Sequence, residues 1–408
     1  MRALNDRRFR WLLLAWVGVP VAVLYVWTDI VEPLAFNTYL GDFQESYMRA
    51  AARIAGGLDP YDLCQKLGCS EPTGPQYVMP PLLAWLLQPL VGVSSHALGA
   101  AVIIALNLSL ALFIWSALCA LKIRDPQLAV LLVLVALTFA VDGNVAEGQV
   151  NLVLLALSGL WLVAWVGEEW WGGIALGAAV ALKLIQAPVG VLVLMRRRWG
   201  MLAAAAATGA ALWLLAAPQD LFEYLTQVAP AISAGTGIYE NQSPGGTITR
   251  LLEPDTFTGA VRGSPTTARV LTLVIALAAL AVTLWVLRSP VPGVAGRSLE
   301  AAAIVAVTPM LTTYSWGTHL VLLQVPLLVL IAWGVRRGDW TVLALVAAGY
   351  LLIGPGHHWF QTVLVSGYSN IVVLRLMAEF GVTGVIAIWI ASLIAIRRDR
   401  HPVGESAD

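Results

Sequence analysis

Residues 97–121 read ALGAAVIIALNLSLALFIWSALCAL, 25 residues without one charged side chain. About 20 consecutive apolar residues suffice for a helix to cross the hydrocarbon of a bilayer. Comparable runs lie near 11–29, 79–94, 126–142, 149–167, 172–195, 199–217, 267–287, 299–313, 318–335, 340–355 and 370–396. The whole chain follows the same pattern, with 59% hydrophobic and only 12% charged residues and a mean hydropathy of +0.79. Soluble domains carry about 25% charged residues. With so little charge the chain is expected to be an all-α polytopic membrane protein of about twelve spans (range 11–13). It forms one unit, residues 1–408, and its zero net charge gives no sign of a nucleic-acid partner.

Basic residues collect on the cytoplasmic side of membrane proteins. Arg2–Arg10, Arg196–Arg198, Arg336 with Arg337, and Arg397–Arg400 form the clear clusters. Twelve spans put all four on one side. Two long loops, 30–78 and 218–266, then lie outside the cytoplasm, with interfacial helices in both. Lys122 and Arg124 break the pattern by falling outside, and Asp142–Gln149 is placed inside. The arginine-rich start followed by Trp11–Thr28 lacks a small-residue cleavage site, so a retained first span is expected. Cys119 is expected to be a small buried hydrophobe. Cys64 and Cys69 share a polar loop and suit a disulfide if it faces an oxidising compartment.

Against this apolar background four polar constellations stand out. The first is Gly41-Asp42-Phe43-Gln44-Glu45-Ser46-Tyr47, followed by Gly56–Asp62. The second is Glu147-Gly148-Gln149-Val150-Asn151, with Lys183 in a later span. Asn241-Gln242-Ser243-Pro244-Gly245-Gly246 with Arg250 makes the third, and Tyr314-Ser315-Trp316-Gly317-Thr318-His319 the fourth.

In this order the constellations resemble glycosyltransferase family 87. The resemblance rests on Asp42 after the first span, Met79-Pro80-Pro81-Leu82 and Gly148-Gln149-Val150-Asn151. It continues through the Gly172–Gly177 helix, Lys183, Pro188 and Arg196–Trp199 to Asn241–Ser243, Trp316 and His319. The family has Tyr directly before Pro-Pro, whereas here Met79 stands there and Tyr77 lies two residues earlier. The resemblance implies a GT-C-type fold in the plasma membrane with an extracytoplasmic active site. It implies inverting transfer of mannose from a polyprenyl-phosphate sugar to a glycolipid or lipoglycan acceptor, as in actinobacterial phosphatidylinositol mannoside synthesis, with an α-linkage. No metal or other cofactor is implied. A membrane transporter or lipid flippase is the rival reading, since an intramembrane lysine and Pro-broken helices fit that class too.

Each candidate residue has a plainer alternative. Inverting transfer needs a carboxylate to take the acceptor proton, which suits Asp42; Asp42-x-x-Glu45 equally has the spacing of a helix-capping box. Asp59 and Asp62 read as a turn. His319 would hold the donor phosphate or a sugar hydroxyl, or sit in the interfacial aromatic belt with Trp316. Lys183 would neutralise the donor phosphate, or pair with Glu147 or Asp142. Arg250 suits phosphate through its planar fork, or lipid headgroups at the interface. Asn241 and Gln242 are candidates for sugar hydroxyls, and Tyr47 and Tyr77 for donor contact. His357 and His358 read as loop polarity.

Overall fold

A computed structural model describes residues 7–36, 40–61, 76–216, 218–253, 264–365 and 371–400. It is helical throughout; among the described residues the isolated pairing of Asn241 with Trp316 is the sole β-type contact. Among the described residues six helices are long and apolar enough to cross a membrane: Leu14–Phe36, Ser95–Ala120, Thr266–Leu287, Gly317–Arg337, Trp340–Leu364 and Val372–Arg400. A seventh is added if Trp199–Leu215 and Pro218–Ile232, bent by 112°, count as one.

The expected twelve are therefore not reached, for local reasons. Residues 79–94 form only Leu82–Leu87 and a 3-10 turn at Gln88–Leu90. Nine helical residues rise at most about 18 Å, short of a ~30 Å hydrocarbon core. The segment 172–195 is broken. Helix α1 (Gly172–Leu182) ends at Lys183, whose backbone is extended (φ −158°, ψ 121°), and α2 (Val189–Met195) follows after a 3-10 turn. Proline at position 188 cannot donate the backbone bond that a continuous helix would need there.

Contacts at the helix ends fix which ends lie together. Helix α3 (Asn151–Gly167) runs just before α1, and α4 (Trp199–Leu215) runs after α2. Arg198 donates to Trp165 O (2.8 Å) and meets Glu168 (3.2 Å), and Arg297 meets Glu168 as well. Arg196 pairs with buried Glu300 (2.7 Å) and donates to Leu287 O (2.6 Å). Arg336 donates to Leu121 O and Lys122 O, and Arg337 pairs with Asp399. Residues 121–122, 165–168, 196–198, 287–300, 336–339 and 398–400 thus share one end of the bundle. Both ends of the 172–195 segment are there, so it is a hairpin with Lys183 at its tip.

Small residues let the hairpin pack tightly. A Cβ on Gly173 would fall 2.8 Å from Ala204 Cβ, and one on Gly177 3.0 Å from Thr208 Cβ. This glycine pair, four residues apart, lets α1 and α4 approach backbone to backbone, the packing that replaces hydrophobic drive in lipid. At the centre, residues 320–330 of the Gly317–Arg337 helix are almost wholly enclosed. Cys119 differs from expectation: it is exposed on the outer face of Ser95–Ala120, where an apolar thiol meets lipid at little cost. Cys64, Cys69 and Asp62 lie outside the described residues.

Candidate functional site

The loop at 40–43 sits against residues 147–149, at the end of the bundle away from the arginine clusters. Phe43 N donates to Glu147 O (3.1 Å), and Asp42 N points at Glu147 Oε2 (3.3 Å). Gly148 makes this approach possible. Its φ is +66°, and a Cβ there would lie 2.6 Å from Phe43 Cβ and 3.2 Å from Leu40 Cβ. A left-handed backbone and no free space together exclude any side chain. Gly148→Ala is therefore expected to destabilise the protein by about 1–3 kcal/mol. Thermal unfolding of purified variant and parent checks this, and an unchanged Tm would contradict it.

From that junction a chain of side-chain bonds runs through four segments far apart in sequence. Gln149 Nε2 donates to Asp42 Oδ2, while Tyr47 Oη donates to Gln149 Oε1 (2.7 Å). Asn151 Nδ2 donates to Asn144 Oδ1 (3.0 Å) and reaches Gln149 Oε1 (3.5 Å). Lys183 Nζ donates to Asn151 Oδ1 (2.9 Å) and lies 2.8 Å from His319 Nε2. Asn144 also donates to Ala140 O and Thr318 O, which ties the 142–146 turn to the segment carrying His319. The amides in the middle are buried, Asn151 at 0% and Gln149 at 6% exposure. Asp42 and Lys183, the ionisable ends, are only half-buried. The links are sealed and the two reactive ends can be reached.

Burial, with Glu147 nearby, pushes the Asp42 carboxyl up to about 6 against the opposing pull of Lys183 and the Gln149 bond; Glu240 adds to the rise. Burial also raises the Glu240 carboxyl, which lies close enough to Glu147 to feel its charge. The Lys183 ammonium has three N–H donors. Two face Asn151 and His319, which leaves one directed elsewhere.

The capping alternative for Asp42 fails. Its backbone is helical (φ −64°, ψ −35°), and its side chain makes no cap bond to the π-helical turn Phe43–Met48. Asp59 does close a turn, accepting from Tyr61 N (2.9 Å). His357 and His358 open the helix His357–Val365 instead of lying in a loop.

Several expected binding residues are engaged in holding the fold. Arg250 is 4% exposed, and its guanidinium bonds Glu379 through Nε (2.8 Å) and Nη2 (3.0 Å). Nη1 donates to Ile238 O and Asn241 O, both at 2.9 Å, and Nη2 also faces Thr247 Oγ1. All five donors are taken, so neither a donor phosphate nor a headgroup finds a free edge. Asn241 is equally saturated: Nδ2 donates to Thr236 O and Thr313 O, and Oδ1 accepts from Ser243 N and Ser315 N. Gln242 is fully buried, donates to Tyr239 O and packs on Gly381. Tyr77 donates to Pro80 O (2.6 Å) and accepts from Ala84 N, closing the turn before Leu82–Leu87. Tyr47 is buried behind Gln149 and orients it. Trp316 is half-buried and edge-on to Tyr314 (5.2 Å), three residues before His319.

Gln149 and Asn151 are thus the site residues that the sequence left unplaced. Their spacing, Gly-Gln-x-Asn at a helix start, was the available signal: Gly148 makes the close approach, Gln149 faces the loop and Asn151 opens the helix.

The fold is a bundle of apolar helices, several of membrane-spanning length, and the site joins a carboxylate, two amides, a lysine and a histidine. Residues 77–313 match the model of glycosyltransferase family 87, well over half of the chain, and the chain belongs to that family. Gln149, Asn151 and Lys183 lie inside the matched region; Asp42 and His319 lie outside it. The chain is also similar to an alpha-(1->3)-arabinofuranosyltransferase of Corynebacterium glutamicum, with 26% identity over 253 residues. The alignment covers 59% of this chain and spans 58% of that relative's length.

Proposed function

We propose that this glycosyltransferase moves a sugar, with inversion, from a polyprenyl-phosphate sugar to a hydroxyl of a glycolipid or lipoglycan. The observation that carries the reading is the bonded chain from Asp42 to Lys183 and His319, with an accessible base at one end and an accessible cation at the other. The acceptor oxygen attacks the anomeric carbon while the carbon–oxygen bond to the phosphate breaks. Asp42 takes the acceptor proton through the carboxylate oxygen not held by Gln149. The third N–H of Lys183 meets the phosphate as negative charge grows on it. The His319 ring, 2.8 Å from Lys183 Nζ, holds that ammonium in place, and Trp316 lies beside them for the sugar. The cation is thus a side chain, and no metal is needed.

Positive residues favour the cytoplasmic side, and the arginine-rich end therefore faces inward, Lys122 and Arg124 with it. We place Asp42 and Lys183 at the outer face of the plasma membrane. In this topology ten segments cross and 172–195 is a re-entrant hairpin. That removes the conflict over residues 122–124 and 142–149, which arose from counting 79–94 and 172–195 as full spans.

A β-linked donor gives an α-linked product. Mannose is the sugar proposed first, and arabinose is the second reading because the corynebacterial relative is named for it. Transfer is tested with protein in lipid nanodiscs, labelled polyprenyl-phospho-mannose or polyprenyl-phospho-arabinose, a phosphatidylinositol mannoside acceptor and excess EDTA. One donor is expected to release polyprenyl phosphate and label the acceptor. No turnover of either by folded protein overturns the donor class, and turnover that EDTA stops overturns the metal-free route.

A further inference from the structure

At the opposite end of the bundle, helix α5 (Thr266–Leu287) presents Trp285 to the surrounding lipid, 52% exposed. Two guanidiniums lie over its ring. The Arg288 carbon is 5.0 Å from the ring centroid, and that of Arg397, on helix α6 (Phe380–Arg400), is 5.1 Å away. Both arginines are exposed. Arg400 donates to Ser289 O and lies close enough to Glu300, Arg196 and Arg288 to feel their charges.

Five neighbouring arginines of that end have a counter-charge that Arg288 and Arg397 lack. Arg196 has Glu300, Arg198 and Arg297 share Glu168, Arg337 has Asp399, and Arg398 has Asp339. Arg288 and Arg397 have no carboxylate partner among the described residues. Stacking on an indole uses the face of a guanidinium and leaves its N–H edge free, the edge that forms paired bonds to phosphate. Like charges gathered at a membrane surface are stabilised most simply by an anion.

An apolar wall leads away from the cluster. The two helices are joined lower down by Trp389 Nε1 donating to Thr283 Oγ1 (2.9 Å). One residue further from the cluster Val282 is exposed on α5. Ile386 and Ile390, also exposed, recur at helical spacing on the face of α6 that ends in Arg397. Charge thus stands at one end of the α5–α6 face and apolar side chains along it.

We propose that the α5–α6 groove binds one anionic phospholipid, its phosphate held between Arg288 and Arg397 beside Trp285 and an acyl chain lying along Val282, Ile386 and Ile390. The site is separate from the transfer chemistry and does not depend on it. Purified protein in neutral detergent is offered short-chain phosphatidylglycerol, phosphatidylcholine or inorganic phosphate, and retained ligand is measured by native mass spectrometry. Preferential retention of phosphatidylglycerol, weakened by high salt, is expected. The doubly substituted R288Q/R397Q protein should lose at least about tenfold of it, with glycosyl transfer unchanged as evidence of folding. Trp285→Leu, which keeps both charges, should lose a smaller part and covers the case in which the double variant does not fold. Equal retention of both lipids, undiminished retention by both variants, or equal retention of inorganic phosphate would overturn the proposal.

Discussion

Asp42→Asn is expected to lower the rate of sugar transfer by about 10²–10⁴-fold, the usual contribution of a positioned general base. The change is nearly isosteric. An amide oxygen at the same position still accepts from Gln149, so the loop at 40–43 and the contact through Gly148 should survive. The loss is expected in kcat, with donor binding retained, because the acceptor proton is transferred only as the new bond forms. In the parent enzyme the pH profile should carry the same signature. A base works only when ionised, and burial with Glu147 nearby holds the Asp42 carboxyl at about 6. Consequently kcat/KM should rise with pH through about 6 as Asp42 ionises. Full activity in Asp42→Asn, or a profile flat across that range, would remove Asp42 from the chemistry.

Lys183→Met should have the second largest effect, about 10²–10³-fold in kcat, comparable to the loss of one donor to a developing anion. Methionine keeps the length and apolar stem of the side chain but offers no donor. It also leaves Asn151 Oδ1 without its partner, so some loss of thermal stability is expected as well. Stability alone would not change the response to the leaving group. If Lys183 meets the phosphate, a donor with a better leaving group should be slowed less by the substitution than the natural one. An equal slowing of both donors would assign Lys183 to holding the bundle together.

The fold class was legible because long apolar runs have one reading in a chain this poor in charge. The number and direction of crossings were not. Hydropathy treats residues 172–195 as one span, since Lys183 is a single charge in 24 otherwise apolar or neutral residues. Pro188 is a local sign of a break, and the extended backbone at Lys183 shows where the chain turns. Under the proposed topology, counting 172–195 and the short 79–94 helix as spans is what put residues 122–149 on the side opposite Asp42. Lys183 stood out because a charge is costly within hydrocarbon, and Asp42 and His319 because their chemistry suits transfer and the family resemblance includes them. Arg250 stood out for its planar fork, but its partner Glu379 is 129 residues away. Nothing local in a sequence distinguishes an arginine that awaits a ligand from one already saturated. The same applies to Asn241, whose four bonds all go to backbone groups of its own loop and of residues 313–315.

On the proposed reading Asp42, Gln149, Asn151, Lys183 and His319 form one site in which a lipid-linked sugar sits. An experimental structure of the Asp42→Asn protein with a polyprenyl-phosphate sugar bound would show whether they do. The expected result is a phosphate within hydrogen-bond distance of Lys183 Nζ and the His319 ring, and an anomeric carbon facing residue 42. A phosphate bound elsewhere, with Lys183 still bonded only to Asn151 and His319, would contradict it.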